Sequence, residues 1–367
     1  MQTIVYLVPY LIKSGPINVL YNIVRHLDRE RFRPVIVALS DSTHLARNNR
    51  PLFENLGIDV RCYGYSKLYC ELHCRKIARR LDTEFPEPNT VMHAHGYYPT
   101  LILSHLKGRR TMTTIHNICD EDFRMTKGKW MGKYMSWKYK SALRKIRSCV
   151  AINDYMREYY SKDIRLHVHT VCNGVEVTSS TDMAEKEKIR HQLEVEDGTL
   201  LLLYPAAFSK RKNQVYLLDE VMAKPELPIM LVLAGTGDME EFCRNRAIND
   251  KRIRFLGYQM NMDSWWRAAD VMVSPSMSEG MPMAVLEAVV RGLPCLLSSI
   301  PAHLEIAKNV FGSNRWCFDI KQKAALGELL EEIVHEKFNN ADIAEKATKL
   351  YSAEVMCKGY ERLYSQP

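Results

Sequence analysis

Short apolar runs alternate with amphipathic stretches twice along this chain, and that alternation restricts its fold more than any other feature. In the first series Ile4–Pro9, Pro34–Leu39, Val91–Ala94, Thr111–Ile115, Cys149–Ile152 and Val168–Val171 read as strands. Val19–Leu27 and Leu45–Leu56 show helical spacing between them. A highly charged helical stretch, Asp182–Glu196, then reads as a linker or domain entry. A second series follows, with strands at Leu200–Tyr204, Ile229–Ala234, Arg252–Leu256, Val271–Pro275 and Cys295–Ser298, and a helix at Gln214–Met222. Alternation of this kind builds βαβ units around a parallel sheet. At 367 residues the chain has room for two such domains. The expected architecture is therefore α/β, with two doubly wound parallel-sheet halves.

The densest local signal runs from Ala269 to Pro294 and reads as strand, polar loop, helix and strand. Pro282 is expected at the first helical position, where its missing N–H costs nothing. Gly292 and Pro294 end the helix. In an open α/β sheet, ligands bind beyond the carboxyl ends of the strands, where this loop lies. Free N–H groups at Gly280 and Met281, next to a helix start, would suit a phosphate. Glu279 in the loop and Glu287 in the helix could then accept hydrogen bonds from sugar hydroxyls. Considered alone, the two acids could equally complement the helix start and face solvent.

The segment S-E-G-M-P-M-A-V-L-E-A-V-V-R-G-L-P, with Glu279 and Glu287 separated by seven residues, resembles the E-x7-E motif of glycosyltransferase family 4. The resemblance extends over nearly the whole chain. Ser14-Gly15-Pro16 is similar to the family's glycine-rich first loop. His93-Ala94-His95-Gly96 and Thr114-Ile115-His116 stand where the family has H-x-H-G and T-x-H. Asn173-Gly174-Val175-Glu176, Lys212-Asn213, Gly235-Thr236-Gly237 and Phe255-Leu256-Gly257 match further family segments, and Tyr351–Tyr364 resembles its terminal helix.

The resemblance implies the GT-B fold, two Rossmann-like domains facing a central cleft. An acceptor-binding domain would span residues 1–173, with 351–367 crossing back onto it, and a donor-binding domain 174–350. It implies a retaining transferase, active without a metal, that uses a UDP- or GDP-linked sugar and needs no separate cofactor. Glu287 would bind the donor's ribose, Glu279 the transferred sugar and Lys212 the diphosphate. His116 would face the sugar from the other domain. Gly15, Gly280, Met281 and Pro282 complete the implied donor site. One departure stands out: Ala207 occupies a position where the family commonly has arginine, leaving Arg211 or Lys210 to supply the cation. A sugar-nucleotide epimerase and a non-catalytic nucleotide-sugar-binding subunit are the alternatives.

Charge is unevenly divided. Residues 1–170 carry 28 Lys/Arg against 15 Asp/Glu, a net of +13, while the remainder has a net of −5. Much of the excess lies in Arg124–Arg147, which has nine basic residues, no acid, and Trp130, Tyr134, Trp137 and Tyr139 among them. A basic helix with such aromatics suits an anionic membrane surface, and nothing else in the sequence suggests a nucleic-acid partner. The N-terminus reads as a strand and no run is long enough to span a bilayer. The expectation is a cytoplasmic protein at the inner face of the membrane, extending a glycan or lipid-linked acceptor. Ten scattered cysteines without CxxC read as reduced thiols. His93 and His95 have no third ligand in sight, so no metal is expected. Asp120-Glu121-Asp122 reads as the acidic first turn of a helix.

Overall fold

A computed structural model describes residues 1–42, 48–178 and 183–366. The chain divides into two compact units, Met1–Gly174 with Ala353–Pro367, and Val175–Ser352. Each is a parallel sheet with helices on both faces, which is why the strands read as near-continuous apolar runs. Ile4 to Val8, for example, are all buried.

In the first unit the strands are β1 (Gln2–Val8), β2 (Phe32–Ala38), β3 (Asp59–Cys62), β4 (Val91–His95), β5 (Arg110–Ile115), β6 (Ser148–Ala151) and β7 (Val168–Thr170). Their order is β3-β2-β1-β4-β5-β6-β7, and every pairing is parallel. The direction of winding reverses between β1 and β4. The last helix, Ala353–Ser365, packs on helix Gly15–His26: Glu361 accepts from the Asp28 N–H at 2.8 Å, and the Cys357 thiol donates to the Ile23 carbonyl at 3.4 Å. Its Tyr360 and Tyr364 reach the sheet, where they join Tyr6, His93 and Thr114 in a buried hydrogen-bonded network.

The second unit repeats the plan with β8 (Leu200–Pro205), β9 (Ile229–Ala234), β10 (Ile253–Gly257), β11 (Val271–Ser274), β12 (Cys295–Ser298) and β13 (Cys317–Phe318). The order is β10-β9-β8-β11-β12-β13, again parallel throughout. Winding reverses between β8 and β11, so the loops leaving these two strands flank the crevice where open α/β sheets bind ligands.

Local details differ from the sequence reading. The edge strands β3 and β13 carry no strand pattern in the sequence: β3 is short and polar, and β13 has only two residues. Of the stretch expected to be helical over Leu45–Leu56, a helix forms at Arg50–Glu54; residues 45–47 lie outside the described residues. Asp182 also lies outside them; the charged stretch does form the helix its pattern leads one to expect, at Met183–Gln192. Pro282 is the cap and not the first helical residue: its ψ of 104° is extended, and helix Met283–Val289 begins after it. The Pro282 carbonyl accepts from the Val285 and Leu286 N–H groups, so the proline still starts the helix.

The basic segment also differs. It forms two helices, Cys119–Lys127 and Lys129–Leu143, broken at Gly128. Two of its lysines are balanced by acids from outside the segment, Lys138 by Glu71 and Lys140 by Asp120 and Asp163. Asp120, Glu121 and Asp122 do occupy a helix's first turn. All ten cysteines are free thiols.

Candidate active site

The strand order of the second unit brings together two loops that lie far apart in sequence. After β8 the chain forms a single 3-10 turn, Lys210–Lys212, and Asn213 follows in the left-handed region with φ 56°. After β11 comes the loop carrying Glu279. The Lys212 ammonium lies 2.5 Å from Glu279 Oε1, and Arg211 Nη1 lies 2.9 Å from Oε2. Arg211 also donates to the Ser278 carbonyl at 2.8 Å, while its own carbonyl accepts from the Met277 N–H. Each carboxylate oxygen of Glu279 therefore has a cationic partner and retains a lone pair for another donor. The side chain is only 8% exposed. Burial by itself pushes its pKa up, but the charges of Lys212 and Arg211 override this and hold it at about 2.

Buried polar contacts fix the frame around this clasp. Tyr204 on β8 donates to the Lys212 carbonyl at 2.9 Å and meets Ser276 at 3.1 Å. Ser298 on β12 donates to the Ser276 carbonyl at 2.6 Å and is itself held by His303. Gly235 and Gly237 press on the other side of the β8 loop. A Cβ on Gly235 would come within 2.1 Å of the Ala206 carbonyl oxygen, and one on Gly237 within 2.2 Å of that of Phe208. Only glycine permits this approach.

Of the two cations available in place of the family's arginine, it is Arg211 that reaches Glu279. Lys210 instead lines a cavity of about 240 Å³ with Ser209, Asn213, Gln214, Met239 and Met277. Glu287 sits on the half-buried side of its helix with Met283 and Ala284, opposite the buried Val285, Leu286, Ala288 and Val289. Gly280 and Met281, which follow Glu279 in the same loop, are buried.

The remaining candidates lie in the first unit. Gly15 opens helix Gly15–His26 with open space where a Cβ would stand. His116 follows β5, and its Nε2 lies 2.9 Å from Nδ1 of His95, the last residue of β4. Burial lowers the His116 pKa to about 4, so the ring is neutral at pH 7. His95 in the first unit and Tyr204 in the second are contact residues that the sequence does not mark as site residues. His95 carries the signal of the H-x-H-G segment, while for Tyr204 the signal is position alone, near the carboxyl end of β8. Among the described residues no group of three or more His, Cys, Asp or Glu is placed to hold a metal ion.

Residues 14–179 match the family described as Glycosyltransferase Family 4, and residues 185–350 match Glycosyl transferases group 1. The chain belongs to the group 1 glycosyltransferases. This glycosyltransferase is 22% identical over 289 residues to the UDP-Gal:alpha-D-GlcNAc-diphosphoundecaprenol alpha-1,3-galactosyltransferase of Escherichia coli, covering 74% of each chain. It is 24% identical over 266 residues to the O-antigen biosynthesis glycosyltransferase WclY of Escherichia coli, covering 70% of this chain and 72% of that protein. Its fold is similar to that of Anabaena Alr3699/HepE in complex with UDP-glucose, with a TM-score of 0.78 at 16% identity over 99% of this chain and 100% of the other. The two parallel-sheet domains of this glycosyltransferase are those of the GT-B fold.

Proposed function

We propose that this glycosyltransferase moves a hexosyl group from a UDP- or GDP-linked donor to a glycan or lipid-linked acceptor in the assembly of a cell-surface polysaccharide. The observation that carries this reading is the Glu279 carboxylate held between Lys212 and Arg211 at the switch point of the second sheet. A donor diphosphate is a dianion that gains charge as it departs. Two adjacent cations offset that charge in the transition state without a metal ion. Glu279 is then assigned to hydroxyls of the transferred sugar, Glu287 to the ribose and His116 to the sugar. The E. coli galactosyltransferase supports the donor and acceptor classes, since its name carries a UDP-sugar and a polyprenyl diphosphate.

Electrostatics supports retention of configuration. A carboxylate with a pKa of about 2 is a poor general base and a poor nucleophile. The acceptor's hydroxyl proton goes instead to the departing phosphate oxygen, and attack on the face the diphosphate leaves preserves the anomeric configuration.

The surface supports work at an anionic membrane. Trp130, Tyr134 and Trp137 lie on one face of helix Lys129–Leu143, with Trp130 81% and Trp137 65% exposed. Lys127, Lys129 and Lys133 are exposed beside them. Amphipathic aromatics flanked by lysines match the headgroup level of an anionic leaflet.

The test is to incubate the purified protein with UDP- and GDP-sugars, a polyprenyl-diphosphate-linked saccharide and a chelator. The expected result is acceptor-dependent release of nucleoside diphosphate and a product with the donor's anomeric configuration. An epimerised sugar formed without acceptor would replace transfer with epimerisation. Donor binding with no turnover on any acceptor would leave a nucleotide-sugar-binding subunit.

A further inference from the structure

We infer that His95 is a positioning residue that decides which nitrogen of His116 carries its proton and which one faces substrate. The inference rests on the reading above only in placing His116 against the donor sugar. The geometry of the pair is independent of it.

His95 ends β4 and His116 follows the adjacent strand β5, so parallel pairing sets the two imidazoles side by side, their ring centroids 5.2 Å apart. The contact is a single hydrogen bond of 2.9 Å between His95 Nδ1 and His116 Nε2. Burial lowers both pKa values, His95 well below the ordinary range and His116 to about 4. Both rings are therefore neutral at pH 7, and the bond holds one proton, which belongs to one ring or the other.

The second nitrogen of His95 decides between them. His95 Nε2 is buried, and among the described residues it has no hydrogen-bond partner. Its neighbours cannot supply one. His93, 4.4 Å away between ring centroids, already uses its Nδ1 on Tyr364 and its Nε2 on Thr114, and Tyr6 meets Tyr364. If His95 carried its proton on Nε2, that N–H would be a buried donor with nothing to receive it, which folded proteins rarely contain. The proton belongs on Nδ1, where His116 accepts it.

The consequence passes along the bond. His116 Nε2 is then the bare, accepting nitrogen, and its own proton sits on Nδ1. Among the described residues no partner meets His116 Nδ1, so a neutral N–H is left to donate to a substrate oxygen. A histidine's tautomer is set by the bond its other nitrogen makes, and here the orienting group is a second histidine. An imidazole fixed this way donates to a sugar hydroxyl without carrying a positive charge.

The test reads the tautomer directly. Nitrogen-15 multiple-bond correlation spectra of the histidine-labelled protein, without substrate, should show His116 protonated on Nδ1 and bare at Nε2. A wild-type His116 protonated on Nε2 would overturn the inference and needs no variant to see. His95→Leu keeps similar bulk and lacks the donor, so the His116 signals should shift to a tautomer mixture and kcat/KM should fall about three- to tenfold, the loss of one neutral hydrogen bond. His95→Asn places an amide N–H where Nδ1 stood and should restore both the spectrum and the rate. Unchanged His116 signals in H95L would also overturn it. If H95L frees the tautomer while kcat/KM stays the same, His95 still controls His116, and it is the placement of His116 against the donor sugar that fails.

Discussion

Arg211 and Glu279, 68 residues apart in sequence, are joined by a 2.9 Å ion pair. On the proposed reading, Arg211 supplies the cation that Ala207 lacks, from four residues further along the same loop. Arg211→Ala should therefore weaken binding of the nucleotide-sugar donor about tenfold, a loss of about 1.4 kcal/mol, in isothermal titration. Ala207→Arg introduced into that variant should recover part of the loss. No recovery, together with unchanged affinity in the single variant, would remove the diphosphate from Arg211.

On the proposed reading, Lys212 acts chiefly when the nucleoside diphosphate departs. Lys212→Ala should lower kcat more than it raises the donor KM, since charge develops in the transition state. Steady-state kinetics on the cognate donor separates the two effects. A change confined to KM would make the lysine a ground-state anchor.

For Glu287→Ala the expected effect is on binding, a loss of about 1.5–3 kcal/mol in donor affinity, the range for a hydrogen bond to a charged group. A matching loss with the free nucleoside diphosphate would assign the contact to the ribose and not to the sugar. A folded variant with unchanged affinity would remove the assignment.

Acid should destabilise the fold in two stages. Burial lowers His303 to about 4, and burial with the nearby His116 lowers His93 to about 3. The unfolded chain takes up a proton at each near pH 6.5 while the fold does not, so stability falls as pH drops from about 6.5 toward 4. Glu279, held at about 2, gives stability that is present above about pH 4.3 and is lost as pH falls through 2. Urea midpoints between pH 7.5 and 5 read the first stage. His303→Gln should flatten the slope by up to about 1.4 kcal/mol per pH unit, and an unaltered slope would take His303 out of the account.

Membrane attachment should have two separable parts. Lys127, Lys129 and Lys133 changed to Glu should abolish the salt-sensitive co-sedimentation with anionic liposomes, because surface attraction decays within a Debye length of roughly 8 Å at physiological salt. Trp130→Ser with Trp137→Ser should remove a remainder that survives high salt. Lys138 is left intact because it pairs with Glu71. Equal sedimentation of all three proteins would make the exposed face an ordinary surface.

Strands, helices and the loop carrying Glu279 were largely legible in the sequence because they depend on periodicity among near neighbours. The helix at Gln214–Met222 and the strands Ile229–Ala234 and Cys295–Ser298 form over the residues whose pattern announces them. The family motifs likewise marked Lys212, Glu279 and Glu287 as a set. Which groups touch was decided elsewhere. Arg211 and Lys210 are indistinguishable as neighbours in a basic run, and only the adjacency of β8 and β11 turns the first toward Glu279. The pairing of His95 with His116 needs β4 beside β5, and the partners of Lys138 and Lys140 come from outside their own acid-free segment. An ion pair or a shared proton depends on distances of about 3 Å between groups distant in the chain. Strand order and packing set such distances, and no local pattern of residues contains them.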